Sequence, residues 1–169
     1  MTALATGGTK GFSEVYDEHV WDVYGFFAYR LNSASDAEDL TQATFEHALR
    51  AWPRYDSRRA LPITWLLAIA RNVLVDHWRA SKHRRHEQLP DDLGSVSGPE
   101  ERAGPDAALS TALAALSDRD RELIGLRFGA DLTGAQISEL TDLSLAAVQQ
   151  GLSRALRRLR ASLEPDETT

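Results

Sequence analysis

Asn72, Asp76, Arg79 and His83 recur at spacings of four, three and four inside the run WLLAIARNVLVDHWRASKHRR. On an α-helix those intervals put all four side chains on one face. Arg79, Lys82, Arg84 and Arg85 close the run with no acid between them. Amide, carboxylate and guanidinium groups in a line, ending in a cationic cluster, suit a polyanion: the cations hold phosphates and the polar stripe meets hydrogen-bonding edges. The opening turns, Trp65 to Ala70, are apolar on every side, so the helix must be anchored in a core at its start.

A second constellation lies near the end of the chain. Ala146, Ala147, Gln149, Gln150 and Ser153 precede Arg154, Arg157, Arg158 and Arg160 on one predicted helix. Glutamine can pair with adenine through two hydrogen bonds, and basic residues further along can hold phosphates. A solvated arginine face is the plainer alternative. Trp52, Tyr55, Trp65 and Trp78, interleaved with Arg54, Arg58, Arg59 and Arg71, would suit stacking on unpaired bases, with core packing as the alternative. Asp36, Glu38, Asp39 and Gln42 crowd a helix start, where acids favour the macrodipole. With Leu40 and Phe45 beside them they would form an exposed acidic and apolar docking face.

Catalytic chemistry finds little support. No Ser/His/Asp set, phosphate-cradling glycine loop or isolated carboxylate pair is evident. His77, His83 and His86 fit no common metal-site spacing, so no metal and no cofactor are expected. The chain has no cysteine, which excludes disulfides and thiolate chemistry. The N-terminal residues MTALATGGTKGFSE have no apolar core of signal-peptide length. The apolar run Trp65 to Ala70 is too short to span a bilayer, so no membrane insertion is expected. A cytoplasmic location is the expectation.

The net charge is −6 over 169 residues, which taken whole argues against nucleic acid. Divided, it does not. Residues 1–86 and 107–163 are each net +1, while residues 87–106 carry −5 and the tail 164–169 carries −3. The two helical segments are therefore near neutral with basic clusters, which nucleic-acid binding allows.

The elements follow from the apolar periods. The fold expected is all-α: two small helical domains, 10–86 and 107–163, joined by a flexible acidic linker, 87–106, rich in Pro and Gly. Roughly four helices are expected in the first segment. One covers Gly11 to Asn32. A second opens at a capping box Ser35-Asp36-Ala37-Glu38 and is stopped by Pro53. The long helix starts at Pro62. Four more are expected in the second segment. Ser117 to Asp120 reads as a capping box, and Gly129 as the stop of the helix it opens. Thr133 to Gln136 is another box. Then comes a short turn, Thr141 to Leu143, and Ser144 caps the last helix. Short helix, tight turn and longer helix form a helix-turn-helix.

In order, FSEVYDEHVWDVYGFF, DAEDLTQATFEHAL, WLLAIARNVLVDHWR and LSDRDRELIGLRF…LTGAQISELTDLSLAAVQQGLSRALRRLR resemble a bacterial sigma factor of the small extracytoplasmic-function (ECF) group of the sigma-70 family. The resemblance covers about Phe12 to Leu163. It implies a non-enzymatic initiation factor whose partners are core RNA polymerase, through the β′ clamp helices and the β flap, and promoter DNA. Asp36, Glu38, Asp39, Leu40, Gln42 and Phe45 would dock on the clamp helices. Tyr55, Arg58 and Arg59 of the loop to Leu61, then Trp65, Asn72, Asp76 and Arg79, would open the promoter and read the −10 element. Ser144, Ala146, Ala147, Gln149, Gln150, Ser153, Arg154, Arg157 and Arg158 would read the −35 duplex. The acidic linker, with Asp91, Asp92, Glu100 and Glu101, would thread toward the RNA exit path. An anti-sigma factor is a common partner in this family.

Two departures stand out: Gln149-Gln150-Gly151 replaces a frequent basic-Ser-basic triplet, and Leu61-Pro62-Ile63 is apolar where relatives are often polar. A free-standing helix-turn-helix regulator, acting as a dimer on duplex DNA, is the competing reading. A protein that docks on polymerase without initiating is a third.

Overall fold

The computed structural model describes residues 10–87 and 107–164, so the acidic spacer and tail fall outside it apart from Glu87 and Glu164. Among the described residues there are seven α-helices and no strand: α1 Phe12–Arg30, α2 Ala34–Ala51, α3 Pro62–Glu87, α4 Ala107–Ala114, α5 Asp118–Ile124, α6 Gly134–Thr141 and α7 Leu145–Leu163. The first segment thus holds three α-helices and a 3-10 turn, Trp52–Arg54, that carries Pro53.

The first three helices pack on one another. Val15, Val23, Phe26 and Phe27 of α1 are buried against Ala37, Phe45 and Ala48 of α2 and Leu66, Leu67, Ala70 and Leu74 of α3. The apolar start of α3 is anchored as expected, although Ala68 is exposed. Burying one such leucine contributes about 1.5–3 kcal/mol. Thr41 and Thr44, buried on α2, donate to the Ala37 and Leu40 carbonyls at 2.6 and 2.7 Å, so neither hydroxyl is stranded in the core.

The cap of α2 differs from expectation. Ser33, not Ser35, is the N-cap, and its hydroxyl accepts from the Asp36 amide at 3.2 Å. Both serines precede the apolar run, and Ser33 satisfies the amide one turn into the helix because α2 begins at Ala34. Ser117 does cap α5, accepting from the Asp120 amide at 3.2 Å, but the Asp120 carboxylate turns to arginines instead of completing a box. The box Thr133/Gln136 is complete in both directions.

The second segment builds its own small core from Ala112, Leu113, Leu116, Ile124, Ala155 and Leu159. Its other buried face merges with the first. Leu123, Leu126, Leu132, Ile137 and Val148 share one continuous apolar cluster with α1, α2 and α3. The meeting point is the end of α5, where the chain winds as a π-turn, Gly125–Gly129, closed by the Ala130 amide on the Gly125 carbonyl at 3.0 Å. Gly129 was expected as a helix stop. Its φ is not positive, and its importance is steric: a Cβ on Gly129 would strike the Gly25 carbonyl of α1, and a Cβ on Gly25 the Gly129 carbonyl. Two backbones touch there because both residues lack side chains.

Candidate nucleic-acid interface

α3 presents Asn72, Asp76, Arg79 and His83 to solvent together, as their spacing requires. Asp76 and Arg79 face each other at 4.0 Å, each about three quarters exposed, an ion pair loose enough to exchange for a ligand. Asn72 and Asp76 also line an open cleft of about 370 Å³ with His47 and Arg50 from the end of α2 and Arg54 from the 3-10 turn that follows it. The cleft joins hydrogen-bonding groups to two cations, a combination fitted to a nucleotide strand.

The loop before α3 is built around Tyr55. Its ring stacks on Trp52, with centroids 5.0 Å apart, and packs on Trp65 at 4.7 Å. Its hydroxyl donates to the Ala60 carbonyl at 2.8 Å and ties the loop shut. Burial pushes this phenol up from its ordinary value, with the Asp56 charge acting in the same direction. Asp56 accepts from the Arg58 amide at 2.9 Å and from Arg58 Nε at 3.1 Å. Those bonds hold the Asp56 carboxyl below the usual carboxylate range. Arg58 and Arg59 stay exposed. Trp52, Tyr55, Asp56 and Ser57 border a second hollow of about 200 Å³.

The four aromatics do not form the base-stacking array considered above. Trp52 and Tyr55 stack, Trp65 packs tilted against both, and Trp78 covers the guanidinium of Arg30 at 4.7 Å. Arg71 leaves the group altogether: its Nε donates to Glu122 Oε1 at 2.7 Å and its Nη1 to the Leu140 carbonyl at 3.0 Å.

α6 and α7 form the helix-turn-helix. Asp142 makes the turn in the left-handed region at φ 59°, and Ser138 donates to the Leu143 carbonyl at 2.6 Å. The Ser144 hydroxyl caps α7 by accepting from the Ala147 amide at 3.1 Å. Val148, Gly151, Ala155 and Leu159 face inward at spacings of three, four and four. Ala146, Gln149, Gln150, Ser153 and Arg157 therefore point out, while Ala147 is half-buried. Gly151, the last residue of the Gln149-Gln150-Gly151 triplet, is a packing residue: a Cβ there would fall 2.5 Å from Leu123 Cδ1.

Arg154 and Arg158 have a partner that spacing did not reveal. Asp120, 1% exposed, receives Arg154 Nη2 at 2.8 Å and Arg158 Nη1 at 3.3 Å. The hydrogen bond from Arg154 is the main reason its carboxyl is held below the ordinary range. The only advance sign was an acid in the expected box position.

The docking face also changes. Glu38, Asp39 and Gln42 are exposed on α2, Asp36 and Leu40 are half-buried, and Phe45 is only 5% exposed. Phe45 is thus not a surface residue: Tyr16 meets it at 4.7 Å and Phe12 at 6.4 Å. It floors an open groove of about 840 Å³ between α1 and α2, walled by Tyr16, Trp21, Leu49, Glu38 and Gln42. Trp21 is 76% exposed. Tyr16, Val20, Trp21 and Tyr24 sit at helical spacing and could have marked this wall as a second apolar face of α1.

Paired helical units, one displaying an amide-acid-arginine helix face and the other a helix-turn-helix, define a two-region, all-helical DNA-binding protein. The known families agree in detail. Sigma-70 region 2 matches residues 15–84, and Sigma-70 region 4 matches residues 112–161. The probable RNA polymerase sigma-C factor of Mycobacterium bovis is 33% identical over the whole of this chain and 94% of that protein. The ECF RNA polymerase sigma factor SigM of Bacillus subtilis is 30% identical over 88% of this chain and 92% of its own length. The chain belongs to the ECF group of sigma-70-family RNA polymerase sigma factors. In fold it is similar to the sigma factor RpoE solved with the anti-sigma factor NepR from Bartonella quintana, with a TM-score of 0.74 at 22% identity over 92% of this chain and 98% of that one.

Proposed function

We propose that α2 is the surface that seats core RNA polymerase, with Asp36, Glu38, Asp39, Leu40 and Gln42 toward the β′ clamp helices and Phe45 shaping the groove beside them. The exposure of Glu38, Asp39 and Gln42 above an open apolar groove supports this. The −10 element would be met by the Asn72, Asp76 and Arg79 face, with Arg58 and Arg59 on the loop before it. Tyr55 and Trp65 hold that loop in shape. The −35 duplex would be read by Ala146, Gln149, Gln150 and Ser153 at the exposed start of α7, with Ala147 beside them and Ser144 fixing the first turn. Arg157 would lie along phosphates. Arg154 and Arg158 enter that surface already braced by Asp120.

The protein makes and breaks no covalent bond in this reading; it lends promoter specificity and captures an opened strand. It works in the cytoplasm with polymerase. Among the described residues no helix is long and apolar enough to cross a membrane. An anti-sigma factor is an expected regulator, since the structurally similar B. quintana sigma factor was captured with one.

The observation that carries the reading is the pairing of two exposed polar helix faces, on α3 and α7, in the two segments that match sigma regions 2 and 4. The test is run-off transcription from a linear promoter with purified core polymerase. Transcripts should depend on this chain, and chain and polymerase should co-elute. Transcription that never responds to it, without complex formation, would refute the assignment; a shift of duplex DNA without polymerase would indicate the free-standing regulator instead.

A further inference from the structure

The exposed face of α3 carries one side chain that its polar chemistry leaves over. Val75 is 41% exposed and belongs to neither apolar cluster. The core is served at this turn by Val73 and Leu74, both buried. Helix formation gives no reason for a valine here either, because a β-branched side chain is a poorer helix former than alanine. Single exposed valines are ordinary on protein surfaces. This one is set apart by its row. Ala68, Asn72, Val75 and Arg79 follow at spacings of four, three and four, and all are exposed. They share one stripe of the helix, so Val75 stands between an amide and a guanidinium on the surface assigned to DNA.

The two edges of that face differ. Asp76 lines the cleft toward α2 and Val75 does not. One residue of helix turns the chain by about 100°, which carries Val75 to the edge away from the cleft. Three residues rise about 4.5 Å, close to the 3.4 Å between successive nucleotides of a strand. A strand with one base at the Asn72 amide therefore brings the adjacent nucleotide to Val75, with Arg79 one turn further on for its phosphate. What a valine can recognise there is limited. It has no donor and no acceptor, so it gains only from apolar contact. Among the four bases thymine alone offers an apolar group at its edge, the C5 methyl. The helix also restricts valine to one strongly preferred rotamer, so its methyl groups are in place before the DNA arrives.

We propose that Val75 is a specificity-determining residue of the α3 surface, packing on the C5 methyl of a thymine in the −10 element, at the position next to the one met by Asn72. The inference rests on the assignment of the α3 face to that element. It adds an apolar reader to a surface whose other members work through hydrogen bonds and charge.

The test begins with promoters selected from a library randomised through the −10 element, by run-off transcription with core polymerase and the full chain. Thymine should be selected at one position. Deoxyuridine placed there lacks only the methyl group, and it should lower initiation about fourfold, the effect of one methyl group taken from water. Val75→Ala should initiate equally from the two templates. Val75→Thr, which keeps a methyl group on a β-branched side chain, should discriminate again. The Val75→Ala chain should unfold at no lower urea concentration than wild type, since alanine is the better helix former; a lower midpoint would assign Val75 to the fold and overturn the proposal. The absence of a selected thymine would overturn it as well, as would equal initiation by wild type from thymidine and deoxyuridine, or discrimination that survives Val75→Ala. Asn72→Ala separates this inference from the reading beneath it. If Asn72→Ala alters the preferred base at its own position while Val75→Ala alters none, the valine contact alone fails. If neither variant changes any −10 preference, α3 does not read that element and the assignment falls too.

Discussion

Asp120 shows how a single buried carboxylate can organise a recognition helix. It sits 1% exposed on α5 and draws Arg154 and Arg158 of α7 onto itself. Its depressed pKa means that its stabilising effect is complete above the ordinary carboxylate value near 4 and is lost as pH falls through the lower folded value. Asp120→Asn should therefore cost about 1–3 kcal/mol near neutral pH. The difference from wild type should shrink toward pH 3, which thermal unfolding across pH 3–7 measures. The same variant should loosen −35 binding without changing which bases are preferred, because Asp120 positions arginines and touches no base. Gln149→Ala should behave in the opposite way, losing about 1–3 kcal/mol at one −35 position in a competition assay across substituted duplexes. Side-chain chemistry at Gln149 was legible in the chain because exposure on a helix follows from period. The service of Arg154 and Arg158 was not, because their partner lies 34 and 38 residues away.

At the scale of elements, α2 carries two roles on two faces. Ala37, Phe45 and Ala48 turn inward, and Glu38, Asp39 and Gln42 turn outward. Asp39→Ala or Gln42→Ala should weaken co-elution with core polymerase while leaving the unfolding midpoint within about 0.5 kcal/mol of wild type, as surface substitutions do. Phe45→Ala should instead cost about 3–5 kcal/mol, since it empties a buried site beneath the groove; a small loss in a denaturant titration would return Phe45 to the surface. Helix existence, the helix-turn-helix and the complete Thr133/Gln136 cap were all visible in the pattern, because period and capping act within a turn or two. The inward turn of Phe45 was not visible: an aromatic at the edge of an acidic cluster satisfies either face until Phe12 and Tyr16 arrive to pack on it. The π-turn Gly125–Gly129 was hidden for the same kind of reason, since it matters through the helix lying against it.

For the whole molecule, the division into two segments is real in the chain and incomplete in space. The second half keeps a small core of its own, yet its larger apolar face merges with the first. Unfolding in urea should accordingly follow one cooperative transition, with tryptophan fluorescence coincident with helical signal, because among the described residues the tryptophans Trp21, Trp52, Trp65 and Trp78 all lie in the first half. Gly129→Ala should separate the two signals as the halves uncouple; coincidence that survives the substitution would mean the shared cluster is energetically minor. The amino-acid sequence by itself determined the helices, the order of the two segments, the sigma-type motifs and the outward faces of α3 and α7, all consequences of local period, capping and charge. Only the tertiary structure decided that Arg30, Arg71 and Arg121 bind across the halves, that Gly25 and Gly129 touch, and that buried Asp120 receives two arginines whose side chains stay exposed. Those contacts join residues tens of positions apart with no repeating interval, so they leave no period in the chain, and folding alone brings them within a hydrogen bond of one another.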